Sequence, residues 1–131
     1  MNLAPIVETW QQDDQSWLAS EHGTSSAKSI TLDVSTFTAG THYPTGHLPS
    51  GLVLGKITAS GLYGPYDDAA ADGRQTAVGF LFCAIKAPSV NTVRVSGALL
   101  WHGAVIKSLL PIPASLDANG TTDLAAKFDI R

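Results

Sequence analysis

Four histidines, one cysteine and a run of aspartates are the groups in this 131-residue chain whose types could do chemistry. His42 and His47 lie close together in AGTHYPTGHLP, while His22 and His102 stand apart. A zinc site needs closely set His/Cys pairs backed by further ligands. The single cysteine, Cys83, sits instead in the apolar run AVGFLFCAI, where a thiol reads as a small buried hydrophobe. One cysteine also excludes an intrachain disulfide. Asp67, Asp68 and Asp72 form the acidic stretch YDDAAADGR. A calcium loop alternates its acids as DxDxDG and closes on a glutamate. This stretch does neither and ends on Asp72-Gly73, a turn signal. No GxSxG nucleophile elbow occurs, and neither GxxxxGK[ST] nor GxGxxG is present to cradle phosphate. The expectation is a protein that is not an enzyme and carries no cofactor and no metal.

Charge narrows the partners. Eight Lys and Arg against eleven Asp and Glu give a net charge of −3 with no basic run. Direct nucleic-acid binding therefore has no electrostatic support. Charged residues make up 15% and hydrophobic residues 44%, a surface short of solubilising charge against a typical quarter of residues. Such a surface suits a protein that works attached to others. The opening MNLAPIVETWQQDD has no basic start and no apolar core of a secretory signal. The longest apolar run, residues 77–85, is far below the ~20 residues that span a bilayer. The expectation is a chain made in the cytoplasm with no membrane partner.

The elements that would position these groups are short strands. Residues 29–35, SITLDVS, alternate with Ile30, Leu32 and Val34 on one face. Residues 39–49 read as a loop, broken by two glycines and two prolines. Residues 51–58 supply a second strand, and residues 60–74, with Gly-Pro and Asp-Gly, are turn chemistry. Residues 76–85 are too continuously apolar to have a wet face. Residues 91–96 alternate again, and residues 97–106 form a further apolar strand broken at Gly103. Thr122 could cap one short helix over residues 123–127, before Phe128 and Ile130 as strand or docking residues. The sum is a single all-β, barrel-like or sandwich-like domain with long loops and at most one short helix. Residues 1–24 stand apart, polar, with Trp10 and Trp17 as isolated aromatics. That pattern fits an arm that orders on a partner; the other reading packs both tryptophans onto their own domain.

Several features fall in a recognisable order. A strand carries Leu32-Asp33, and PSGLVLGKIT follows with Pro49, Gly51, Leu54 and Gly55. A tyrosine- and aspartate-bearing loop then closes on Asp72-Gly73, an apolar strand opens Ala77-Val78-Gly79, and a glycine-led strand covers residues 97–101. This order resembles the phage head decoration proteins, the family of the bacteriophage lambda head protein D. Residues 16–24, SWLASEHGT, look like the arm of decoration proteins from actinobacterial phages.

The resemblance implies a small β-barrel or β-clip-like fold, with residues 1–24 an extended capsid-binding arm and residues 25–131 the decoration domain. It implies a homotrimer on the outer surface of the expanded head, at three-fold positions in the virion. There it would hold the major capsid protein against the pressure of packaged DNA. In the arm, residues 3–18 bind the capsid, with Ile6 and Val7 the expected augmenting strand, Trp10 and Trp17 the anchors, and Leu18 at the end of the same contact. Leu99, Leu100 and Trp101 are the candidate trimer interface. Two alternatives differ in kind. A β-rich ligand- or glycan-binding module on the virion surface would use Tyr43, Tyr63 and Tyr66 to stack on sugars. A clip-like nucleotide pyrophosphatase would need a serine phosphate element, which the nearest stretch, residues 61–66, lacks.

Overall fold

The alternation of SITLDVS becomes β1, Lys28–Asp33, with Ile30 and Leu32 buried and Thr31 exposed. The strand stops where the Asp33 carboxylate accepts the Ser35 N–H at 3.2 Å and starts a 3-10 turn over Val34–Thr36. Val34 thus leaves the strand yet stays fully buried. A computed structural model describes residues 15–20, 24–44, 46–90 and 92–131. After β1 come a single helical turn α1 (Ala39–His42), β2 (His47–Leu48), β3 (Val53–Lys56), β4 (Tyr63–Pro65) and β5 (Ala77–Leu81). Then follow β6 (Ile85–Lys86), β7 (Arg94–Leu100), β8 (Gly103–Val105), helix α2 (Ala118–Leu124) and β9 (Phe128–Ile130). The all-β class holds.

Five strands close a barrel in the order β1-β4-β3-β5-β7. β7 returns antiparallel along all of β1, from Lys28↔Leu99 to Asp33↔Arg94, and β4 joins β1 in parallel at Leu32↔Tyr63. Two ribbons, β2-β6 antiparallel and β8-β9 parallel, lie outside it. β3, β5 and the Leu99–Leu100 end of β7 bury both faces. Leu54, Leu81 and Leu99 point into the barrel with Ile30, Leu32 and Leu48. Their neighbours Val53, Phe80 and Leu100 point outward, under Trp17, Leu116, Leu124 and Phe128. Double coverage is why residues 77–81 carry no polar alternation.

Four local expectations shift. The turn α1 and the strand β2 lie inside residues 39–49, read as a loop. The strand β4 lies inside the stretch read as turn. β7 runs unbroken through Gly97, where two strands were expected. The helix runs Ala118–Leu124, capped by Asp117 through the Gly120 N–H at 2.7 Å. Thr122 instead bonds back to the Ala118 carbonyl. Tertiary contacts set the helix frame: the Tyr66 hydroxyl donates to Asp117 at 2.7 Å, and Asp123 accepts the Ala77 N–H at 3.0 Å.

Gly79 is fixed by space, since a Cβ there would run into the Leu100 carbonyl oxygen of the next strand. Gly40, in α1, has no atom within 4 Å of the same position. Gly79→Ala should lower the unfolding free energy by about 1–3 kcal/mol, and Gly40→Ala should shift it by less than about 1 kcal/mol. Urea unfolding of both variants checks the contrast.

His42 Nδ1 accepts the Thr38 N–H at 2.7 Å, and the ring meets Phe37 edge-on. Burial, then the Arg74 charge, hold its pKa below the ordinary 6.5. Between that lowered value and 6.5 the unfolded chain binds the proton more readily, so the stability is full above 6.5 and is lost as pH falls through the folded value. Melting temperature should therefore drop between pH 7.5 and 5. His42→Asn, which keeps an acceptor but no titration, should show a shallower drop in the same scan.

Candidate functional site

The first described segment, residues 15–20, lies along β8. Ala19 N–H donates to Ala104 O at 3.0 Å and Ile106 N–H donates to Trp17 O at 2.7 Å, around a Leu18↔Val105 bridge. On its other side β8 pairs with β9, where Arg131 N–H donates to Val105 O. The segment thus completes a small sheet with β8 at its centre. Trp17 fixes it. Its indole is fully buried, 5.4 Å from the Phe80 ring, and its Nε1–H donates to Ser50 Oγ at 3.2 Å. Ser50 is the buried polar residue of the described core, and its hydroxyl passes the bond on to the Phe82 carbonyl. Gln15 Nε2 reaches the same carbonyl at 2.8 Å.

Trp17, expected as an anchor on a partner, is therefore an anchor of its own domain. An indole with 0% exposure cannot fill another protein's pocket while this fold is intact. Leu18, its neighbour, is half-buried and lines a surface cavity of about 420 Å³ with Gln15, Ala19, Ser20, Thr24 and Phe82. Ile6, Val7 and Trp10 lie outside the described residues.

The groups that could do chemistry are dispersed. Among the described residues no three His, Cys, Asp or Glu side chains are placed to hold a metal ion. Asp72 forms a 3.0 Å ion pair with Arg74, whose backbone N–H and guanidinium hold the carboxyl below its usual range. Asp67 accepts the Ala69 N–H within its own turn, and Asp68 accepts from the Asn119 amide at 2.9 Å. Cys83 is half-buried at the end of β5 rather than sealed in the core, because the double coverage ends at Leu81. The three loop tyrosines differ in exposure, Tyr43 and Tyr63 being half-buried. Tyr66 is buried, and Tyr43 and Tyr63 pack against the barrel cluster.

The expected trimer surface divides. Leu99 and Leu100 are buried in the chain's own core, one on each side of β7. Trp101 stays half-exposed. Its indole N–H donates to the Ser26 carbonyl at 2.7 Å, which fixes the ring. Lys28 Nζ sits 4.5 Å and Lys127 Nζ 5.7 Å from the ring centroid, and His102 meets the ring edge-on at 4.2 Å. The alternating strand pattern could have placed Leu99 and Leu100 on opposite faces. The convergence of Lys28 and Lys127, from opposite ends of the chain, has no sequence signal.

No curated protein matches this sequence. The family model for bacteriophage lambda head decoration protein D matches residues 13–128, which takes in the segment 15–20, the barrel, the β2-β6 ribbon, β8 and α2 and ends on the first residue of β9. The chain belongs to that family, whose members are structural proteins that decorate the phage capsid.

Proposed function

We propose that this protein is a cement for the expanded phage head, seated as a homotrimer on the outer surface at three-fold positions. It holds neighbouring major capsid subunits together against the pressure of packaged DNA. The observation that carries this reading is the strap. Residues 15–20 are locked to β8 by Trp17 and by backbone bonds, so the chain before Gln15 departs from a fixed point on a rigid domain. In that preceding stretch Ile6 and Val7 supply a strand for the capsid and Trp10 a pocket-filling anchor. Leu18, beside the cavity, extends the same contact. Strand addition takes its affinity from main-chain hydrogen bonds and its specificity from alternate side chains. Three such contacts on one rigid body raise each other's effective concentration. Of the surface first expected at the trimer contact, Trp101 is the residue left to serve.

Two truncations test this reading. Removing residues 1–14 leaves Trp17 in place and should leave the melting curve unchanged. It should cut occupancy on expanded heads by about tenfold or more, as loss of anchor residues does elsewhere. Removing residues 1–20 also empties the Trp17 site, at a cost of about 3–5 kcal/mol, a large part of the 5–15 kcal/mol typical of a domain; it should unfold the protein. Co-sedimentation with expanded heads and with unexpanded procapsids reads the first result, and calorimetry the second. Undiminished occupancy after removal of residues 1–14 would discard the arm as the capsid contact.

A further inference from the structure

A three-fold ring is built from heterologous contacts, so each copy must present two different surfaces that fit one another. Two clusters of opposite sign qualify. The first is Lys28 and Lys127 gathered on the fixed Trp101 ring. Neither lysine forms an ion pair among the described residues. Asp129, two places from Lys127, is taken by Arg131 at 3.0 Å, and Asp123 by the Ala77 N–H. The second is the exposed pair Asp67 and Asp68, whose bonds among the described residues go to a backbone N–H and an amide and to no cation.

The topology puts the clusters at opposite ends of the barrel. Lys28 opens β1, and β4 meets β1 only at Leu32↔Tyr63, about 13 Å further along at a strand's ~3.3 Å rise. β4 runs parallel to β1, so it carries the chain toward Asp67 and still further from Lys28. α2 spans the same gap on the outside, with Asn119 at Asp68 and Lys127 just past its end. A chain with cations at one end and carboxylates at the other is complementary to a second copy placed head to tail.

We propose that the Lys28–Trp101–Lys127 patch of one copy receives Asp67 and Asp68 of the next, closing the ring; this rests on the trimeric reading above. The indole holds both ammonium groups in place before the carboxylates arrive, which spares the ordering of two long side chains that makes most surface ion pairs weak.

The test uses the full chain on expanded heads, treated with a carbodiimide, which joins an ammonium to a carboxylate in contact. Trimers should appear on denaturing gels, with peptides holding Lys28 or Lys127 joined to those holding Asp67 or Asp68. The variant K28E/K127E should lose trimers about tenfold or more, as reversed charges repel across an interface, with circular dichroism unchanged. The fourfold variant K28E/K127E/D67K/D68K, which swaps the signs, should regain them. Trimers of undiminished yield in K28E/K127E, or cross-links that join other surfaces, would overturn the pairing while leaving the trimer standing. Wild-type chain that occupies heads only as single copies would remove the trimer and the pairing together.

Discussion

The structure depends on one sheet region being covered on both sides. β3, β5 and β7 send Leu54, Leu81 and Leu99 into the barrel and Val53, Phe80 and Leu100 out of it. The inward set is covered by closure of the barrel. The outward set has to be covered by whatever the chain supplies from elsewhere: α2, Leu110, Phe128 and, from the other terminus, Trp17. The fit at Trp17 is close. A Cβ on Gly51 would come within 2.9 Å of its Nε1 and 2.8 Å of Pro111 Cδ, and Gly51 itself has φ +97°. A buried indole N–H must find an acceptor, and Ser50 is the adjacent residue that provides one. The glycine and the serine of PSGLVLGKIT are thus explained by the tryptophan.

How much of this was legible follows from the range of the signal. β1 was readable because one face is wet, which leaves an alternation. β5 was readable for the opposite reason, as a run with no wet face. Its class was clear while its two-sided cover was not. Gly97 reads as the start of a strand, yet it lies within β7 opposite Ile30, and a Cβ there would meet Ile85 Cδ1 at 2.9 Å. Sequence shows that a side chain is missing and cannot show which neighbour has taken its space. The sequence points to a later start for α2 because a good cap residue, Thr122, is visible locally, whereas the cap in use, Asp117, is bonded by Tyr66 from 51 positions away. Trp17 was beyond reach in the same way. A short polar stretch with one large aromatic has the same composition whether it binds a partner or its own domain, and six residues are too few for a period to decide.

A capsid decoration protein works by binding. Its affinity has to come from surfaces that are individually modest. Linking binding elements on one body can raise the overall affinity by 10²–10⁴ without a new contact, provided the body does not bend. A flexible domain would lose that gain as each contact relaxed separately. The demand on the fold is therefore stiffness between its contact points more than strength at any one of them.

A chain of hydrogen bonds runs between the two charged ends. Asp68 is tied to Asn119, and Tyr66, two residues earlier, to Asp117. Both acceptor and donor sit at the start of α2, whose Asp123 grips β5 through the Ala77 N–H and whose end leads into Lys127 and β9. Burial, and then the Asp117 carboxylate, push the Tyr66 hydroxyl well above its ordinary range. The Gly120 N–H, followed by that hydroxyl, holds Asp117 below the usual carboxylate range. The phenol therefore remains a donor and the carboxylate an acceptor throughout the neutral range, and a charge-assisted bond of this kind is about twice as strong as a neutral one. Opening the loop would break that bond and expose the Tyr66 ring, which is buried in the core, so this joint is among the costlier local openings. A load applied at the acidic loop is therefore passed to the helix and the barrel, and not absorbed by the loop.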